Sequence, residues 1–120
     1  MERLTPQEEA IMLQVWKIGE CSIKAVWTKM DEPKPPYTTV ASTFDNLVNK
    51  GYLKRGRIGN VKMFDPKISE PAYKRHFLSD LVKSYFDDSY KELVSFFAKE
   101  QKISQEDLSE IIKLIEKNRK

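Results

Sequence analysis

The sequence predicts a mainly α-helical chain in which one two-stranded β-hairpin separates two groups of three helices. Apolar residues recur at helical spacing before residue 50 and again after residue 69. Between these groups, residues 52–65 read as two strands joined by a turn at residues 58–60. Three helices followed by a hairpin is the order of a winged helix-turn-helix. We therefore expect a winged domain at residues 1–68 and a helical domain at residues 69–120.

The first two helices carry clear start and stop signals. Thr5 is the expected N-cap of the first helix, Pro6 takes the first helical position, and Glu8 can bond back to the N-cap backbone. Gly19 is expected to end this helix. Ser22 is then placed to cap the second helix.

The third helix is predicted at residues 37–50, after a stretch at residues 33–36 in which three prolines forbid helix. An apolar stripe should be buried, and Gly51 is a natural helix stop. The other sides carry short hydroxyls, which can bond to phosphates and base edges: Thr38, Thr39 and Ser42. The plainer alternative is that Thr38 or Thr39 only caps the helix.

Positive charge is concentrated in the hairpin and just after it. Residues 50–75 hold 8 basic and 2 acidic side chains, a net charge of +6, against −2 for residues 1–49 and −1 for residues 76–120. Four basic side chains of the hairpin are candidate contacts to phosphate: Lys54, Arg55, Arg57 and Lys62. A basic patch attracts DNA by releasing its counterions. The helix and the hairpin together therefore predict binding of double-stranded DNA.

The three C-terminal helices, predicted at about 69–85, about 89–100 and from Ser104 onward, are rich in large apolar residues. They are too short to enclose all of these side chains, so we expect a homodimer whose two-fold interface buries them. The expected interface residues are Tyr73, Phe77, Leu81, Leu93, Phe96, Phe97, Leu108, Ile111, Ile112 and Ile115. Packing against the N-terminal domain is the alternative.

The sequence gives no support for an enzyme, a metal site or a cofactor. It has no Gly-rich phosphate loop, no His-Glu metal motif and no nucleophile elbow. His76 is the single histidine, and Cys21, the single cysteine, has no partner for an internal disulfide. Neither an apolar run of about 18 residues nor a secretory signal pattern is present. We therefore expect a cytoplasmic protein that does not insert into a membrane.

Several segments resemble the penicillinase-repressor (BlaI/MecI/CopY) family of winged-helix regulators. They are Leu4–Met12 with Val15 and Trp16, Tyr37–Val40, Asn49–Leu53, Phe97–Glu100 and Ile103–Leu108, which together span nearly the whole chain. The resemblance implies a dimeric repressor that binds a palindromic DNA operator. Many members of the family control β-lactam resistance genes together with a membrane sensor-protease, which implies such a partner here. Cleavage of the C-terminal domain would then weaken the dimer and release DNA.

The chain departs from the family pattern at specific places. Where members often carry a basic residue in the third helix this chain has Thr38 or Ala41, so base readout is expected to use hydroxyls and Asn46 in place of arginine. The better-known members are cut at an Asn-Phe bond, and the matching candidate cleavage site here is Phe96-Phe97. The copper-responsive branch has a cysteine-rich C-terminal motif that this chain lacks.

One alternative belongs to a different functional class. A winged helix can act as a protein-interaction or scaffold module that never binds DNA. The two hypotheses differ in salt dependence, because DNA binding that depends on phosphate contacts weakens steeply as salt rises.

Overall fold

The computed structural model describes residues 1–118. Helices α1 (Pro6–Ile18), α2 (Ile23–Lys29) and α3 (Tyr37–Asn49) precede strands β1 (Leu53–Ile58) and β2 (Val61–Pro66), and helices α4 (Glu70–Tyr85), α5 (Tyr90–Lys99) and α6 (Gln105–Lys117) follow. The two strands form one antiparallel sheet, so the predicted order of three helices, a wing and three helices is confirmed.

The chain divides into two compact units, Met1–His76 and Phe77–Lys120. The division into a winged domain at residues 1–68 and a helical domain at residues 69–120 stays a prediction. Residues 119 and 120 of the second domain lie outside the described part of the chain.

The predicted helix caps of the first unit are present. Thr5 Oγ1 accepts a hydrogen bond from the Glu8 N–H at 3.2 Å, and Glu8 Oε1 accepts one from the Thr5 N–H at 2.8 Å. Gly19 follows α1 with a φ of 89°, a conformation that favours glycine. Ser22 Oγ accepts from the Ala25 N–H and so begins α2.

Helix α3 begins without a side-chain cap, so the alternative role for Thr38 and Thr39 as capping residues is wrong. Its N-cap is Pro36, whose carbonyl accepts from the Thr39 and Val40 N–H groups. The proline tract holds the backbone extended up to Pro36, and the cap position therefore falls on a residue that has no side-chain acceptor. Both threonines lie inside the helix and are exposed.

A Schellman motif ends α3 and sets the start of the wing. Gly51 has a φ of 83°. Its N–H donates to the Val48 carbonyl at 3.0 Å, and the Tyr52 N–H donates to the Leu47 carbonyl at 2.9 Å. Because Leu53 already belongs to β1, this motif fixes the direction in which the wing leaves the helix.

The core of the first unit lies between α1, α2, α3 and the base of the wing. The buried side chains are Ile11, Met12, Val15, Cys21, Val26, Val40, Phe44, Leu47, Tyr52, Leu53 and Phe64. Phe64 of β2 packs against Phe44 of α3 with ring centroids 4.8 Å apart. Backbone hydrogen bonds of 2.8 and 2.9 Å join Phe64 to Cys21. The wing is thereby attached both to the core and to α3.

The second unit buries little of its apolar surface. Within residues 77–118, Val82 is the one buried hydrophobic side chain. Phe96 contacts Phe86 and Phe97, with centroid distances of 5.8 and 5.6 Å. Ser89 caps α5, and Ser104 opens a capping box on α6, where the last helix is predicted to begin. No helix among the described residues is long and apolar enough to cross a membrane.

Candidate nucleic-acid interface

One side of α3 is buried and the opposite side carries polar residues in solvent. Val40, Thr43, Phe44 and Leu47 are buried, as the apolar periodicity predicts. The four predicted contact residues on this helix are all exposed: Thr38, Thr39, Ser42 and Asn46. These four residues therefore lie on a surface that a partner can reach.

The hydroxyls of α3 are not equivalent. Ser42 Oγ donates to the Thr38 carbonyl at 3.0 Å, so its proton is used within the helix while its oxygen can still accept. Thr43 Oγ1 donates to the Thr39 carbonyl and is buried. Thr38 and Thr39 stand in the first turn, where the positive end of the helix dipole favours a phosphate.

Asp45 also lies on the exposed side of α3, although it is not among the predicted contacts. Thr38, Ser42, Asp45 and Asn49 recur at i, i+4, i+7 and i+11, which places them in one stripe opposite the buried residues. Asn46 and Thr39 flank this stripe. The helical spacing gives the position of Asp45, but a carboxylate is not one of the basic or hydroxyl groups that indicate DNA binding.

The strand pairing separates the four basic residues of the wing into two faces. Arg55 pairs with Phe64, and Arg57 pairs with Lys62. Side chains alternate between faces along a strand, so Arg55, Arg57 and Lys62 share the face of Phe64, which packs on α3. These three side chains, with Gly56, line one surface depression.

Lys54 belongs to the other face of the wing. It pairs with Asp65 across the strands, and its Nζ lies 3.8 Å from Asp65 Oδ2. The structure therefore brings together Arg55, Arg57 and Lys62 on the α3 side and leaves Lys54 with a carboxylate on the far side. Because side chains alternate between faces along residues 53–58, the sequence itself indicates that Lys54 lies on the face opposite Arg55 and Arg57.

An ion pair joins the wing to the exposed stripe of α3. Arg55 Nη2 lies 2.7 Å from Asp45 Oδ1, and the two side chains are 53% and 59% exposed. A pair this exposed contributes about 0–1 kcal/mol. A phosphate can therefore replace Asp45 as the partner of Arg55 at small energetic cost.

The tip of the wing is tighter than predicted. Ile58 still belongs to β1 and pairs with Val61, so the turn consists of Gly59 and Asn60 alone. Gly59 has a φ of 61°, as such hairpin turns require. Ile58 and Val61 are both exposed.

The predicted interface residues have three kinds of environment. Leu81, Leu93 and Leu108 are half-buried, whereas Phe77, Phe96, Phe97, Ile111, Ile112 and Ile115 are exposed. Tyr73 lies in the first unit, where its ring packs 5.3 Å from that of Trp16 and its hydroxyl donates to Glu9. Burial and the Glu9 carboxylate raise the pKa of Tyr73 above its usual range.

The candidate cleavage site, the single histidine and the single cysteine lie in different parts of the structure. Phe96 and Phe97 lie inside helix α5. His76 is exposed on α4. Cys21 is buried, and burial raises the pKa of its thiol, which keeps it protonated at neutral pH. Among residues 1–118, no three His, Cys, Asp or Glu side chains converge as a metal site.

Comparison with known proteins gives the family. The family model described as penicillinase repressor matches residues 4–117. The penicillinase repressor of Bacillus licheniformis is 24% identical over 129 residues, covering 98% of this chain and 94% of that protein. Among solved structures, a MepR-like protein complexed with pseudoligands covers 95% of this chain and 72% of its own, with 14% identity and a TM-score of 0.47. The chain belongs to the penicillinase repressor family, whose members are winged-helix transcriptional regulators and not enzymes.

Proposed function

We propose that this protein is a cytoplasmic repressor that binds a palindromic operator in double-stranded DNA as a homodimer. The observation that carries the proposal is one surface, on which the exposed stripe of α3 lies on the same side as Arg55, Arg57 and Lys62 of the wing. We call this surface the α3–wing face. It combines groups that read base edges with groups that neutralise phosphates, and both belong to one compact unit.

Helix α3 is the element that enters the major groove in this proposal. That groove is about 12 Å wide and admits an α-helix. Thr38 and Thr39 in the first turn can donate to phosphates or base edges, while Ser42 acts as an acceptor because its proton is already engaged. Asn46 can pair with adenine through its amide group. The readout is therefore built without arginine or lysine on the helix.

The wing supplies phosphate contacts from one face only. Arg55, Arg57 and Lys62 lie on the α3 side, where DNA in contact with the helix would meet them. Lys54 contributes its charge to the general field but lies on the other side of the wing, with its Nζ 3.8 Å from Asp65 Oδ2. Phosphate contacts of this kind set register and raise affinity for all sequences alike.

Dimerisation is supported by the apolar surface of the second unit. Its exposed side chains include Phe96, Phe97, Ile111, Ile112 and Ile115, while Val82 alone is fully buried among residues 77–118. Such a small buried core supplies too little hydrophobic free energy for independent stability. A two-fold interface would bury this surface and present two copies of α3 to adjacent half-sites.

Release by a membrane sensor-protease is the regulatory part of the proposal. A cut between Phe96 and Phe97 would separate α6 from the rest of the chain and remove much of the apolar surface proposed for the dimer. Both residues are helical, so α5 must open locally before a protease can bind the bond as an extended chain. Cleavage of this kind would lower operator affinity because two linked half-sites bind more tightly than one.

The test of DNA binding is selection from a random duplex library followed by a salt titration. The library contains about 30 random base pairs, enough for two half-sites roughly one helical turn apart. The protein should enrich a palindromic sequence, and the logarithm of its association constant should fall linearly with the logarithm of salt concentration. If no duplex binds at low salt, the scaffold function replaces this one. Light scattering on the same sample measures the molar mass and so tests whether the protein is a dimer.

A further inference from the structure

An acid occupies the middle of the surface that faces DNA in the proposed function. Asp45 lies one and two helical turns from Ser42 and Thr38, in the stripe opposite the buried side of α3. Its side chain is 59% exposed. Every other ionisable side chain on the α3–wing face is basic: Arg55, Arg57 and Lys62.

A carboxylate at this position weakens binding to DNA in general. Non-specific binding depends on neutralising phosphates, and a negative charge on the approaching surface opposes it. Arg55 offsets part of this repulsion, because its guanidinium lies 2.7 Å from Asp45 Oδ1. The same contact takes up one of the donors that Arg55 could otherwise direct at a phosphate.

Two amino groups donate hydrogen bonds from the base edges of the major groove, N4 of cytosine and N6 of adenine, and cytosine N4 is the characteristic partner of a carboxylate. The N4 amino group of cytosine is a donor there, and Asp and Glu accept from it. A sequence with cytosine opposite Asp45 therefore gains a charge-assisted hydrogen bond, while guanine and thymine offer no donor and meet only the repulsion. Adenine offers N6 as a donor, but its N7 acceptor lies beside N6 and opposes a carboxylate. Discrimination of this type depends as much on penalising wrong sequences as on favouring the right one.

We propose that Asp45 is a specificity-determining residue that selects cytosine at one position of each operator half-site and, through its negative charge, weakens binding to other DNA. This role rests on the DNA binding proposed above. In the absence of DNA the Asp45 carboxylate is paired with Arg55, and both side chains are more than half exposed.

The experiment repeats the selection with the parent protein, Asp45→Ala, Asp45→Asn and the control Asp65→Ala. Asp65 is also an acid paired with a basic residue, but it lies on the far face of the wing with Lys54. The parent should enrich cytosine at one position per half-site. Asp45→Ala should lose that preference, and Asp45→Asn should shift it toward adenine, which amides recognise. The Asp65→Ala variant should select the same DNA sequence as the parent protein.

Affinity for the parent's selected duplex and for a scrambled duplex of equal composition gives the second readout. For Asp45→Ala, the ratio of the two affinities should fall on the order of tenfold, with the scrambled duplex bound more tightly than by the parent. For Asp65→Ala the ratio should stay unchanged. Retained cytosine selection by Asp45→Ala, or equal ratios for the two alanine variants, would overturn the role of Asp45 while leaving DNA binding intact. A parent that enriches no sequence would instead overturn the proposed function itself.

Discussion

Lys50, the residue that ends α3, is hydrogen-bonded to Glu8 in the first turn of α1. Lys50 Nζ lies 2.7 Å from Glu8 Oε1, and the two side chains are 22% and 5% exposed. Nζ also donates to the Arg3 carbonyl at 3.1 Å. The capping box of α1 is thereby tied to the end of the helix proposed to read DNA. Sequence inspection predicts the capping box but not this longer connection.

The Glu8 contact predicts a pH-dependent contribution to stability. Burial alone would raise the pKa of Glu8, but hydrogen bonds from Lys50 and from the Thr5 N–H outweigh it and hold the pKa below its ordinary value. A depressed carboxyl pKa adds stability above the unfolded-state value of about 4.3, and this stability is lost as pH falls through the folded-state value. Glu8→Gln should therefore lower the free energy of unfolding by about 1–3 kcal/mol at pH 7.

Urea denaturation of parent and variant at several pH values measures this effect. The difference between them should shrink as pH falls below the ordinary glutamate value. Glu20→Gln is the control, because Glu20 is exposed and follows α1; it should leave the free energy of unfolding nearly unchanged. A Glu8→Gln variant with the same stability as the parent at pH 7 would show that the Lys50 contact does not stabilise the fold.

The two faces of the wing predict unequal effects of otherwise similar substitutions. Arg57→Gln and Lys62→Gln each remove a charge from the α3 side, so each should reduce the slope of log affinity against log salt by about 1. Lys54→Gln removes the same charge from the face where Lys54 is paired with Asp65, and it should change the slope much less. Fluorescence anisotropy with the selected duplex gives all three slopes. Equal slopes for the three variants would mean that the faces do not differ toward DNA.

The apolar surface of the second unit predicts a dimer that a single charge disrupts. Ile112→Asp places a carboxylate in the proposed interface, where desolvating it is costly. Light scattering should then report a mass shifted from dimer toward monomer. Ile58→Asp is the matched control, since Ile58 has a similar exposed fraction at the tip of the wing. If both variants remain dimeric, Ile112 lies outside the interface.

The sequence predicted what depends on local pattern and left out what depends on long-range pairing. Thr5, Ser22 and Ser104 identify helix starts because a cap needs only residues three positions away. The Asp45–Arg55 and Glu8–Lys50 contacts join residues from different elements, and only tertiary packing places them together. The separation of Lys54 from Arg55 lies between these cases, because strand alternation gives the faces but only the packing of Phe64 on Phe44 shows which face meets α3.

Gly51, the glycine that follows α3, is predicted to be costly to replace because of its backbone conformation. Gly51 has a φ of 83° and an added methyl group would meet no atom within 4 Å, so the cost of Gly51→Ala is conformational and not steric. That cost should be about 1–2 kcal/mol in the free energy of unfolding. Gly56→Ala is the matched control, because Gly56 also has open space but an ordinary strand conformation. It should be neutral or slightly stabilising.

Denaturation curves for the two variants test this directly, and equal stability would contradict the role of Gly51 in the Schellman motif. Because that motif sets where β1 leaves α3, Gly51→Ala should also weaken operator binding beyond its effect on the folded fraction.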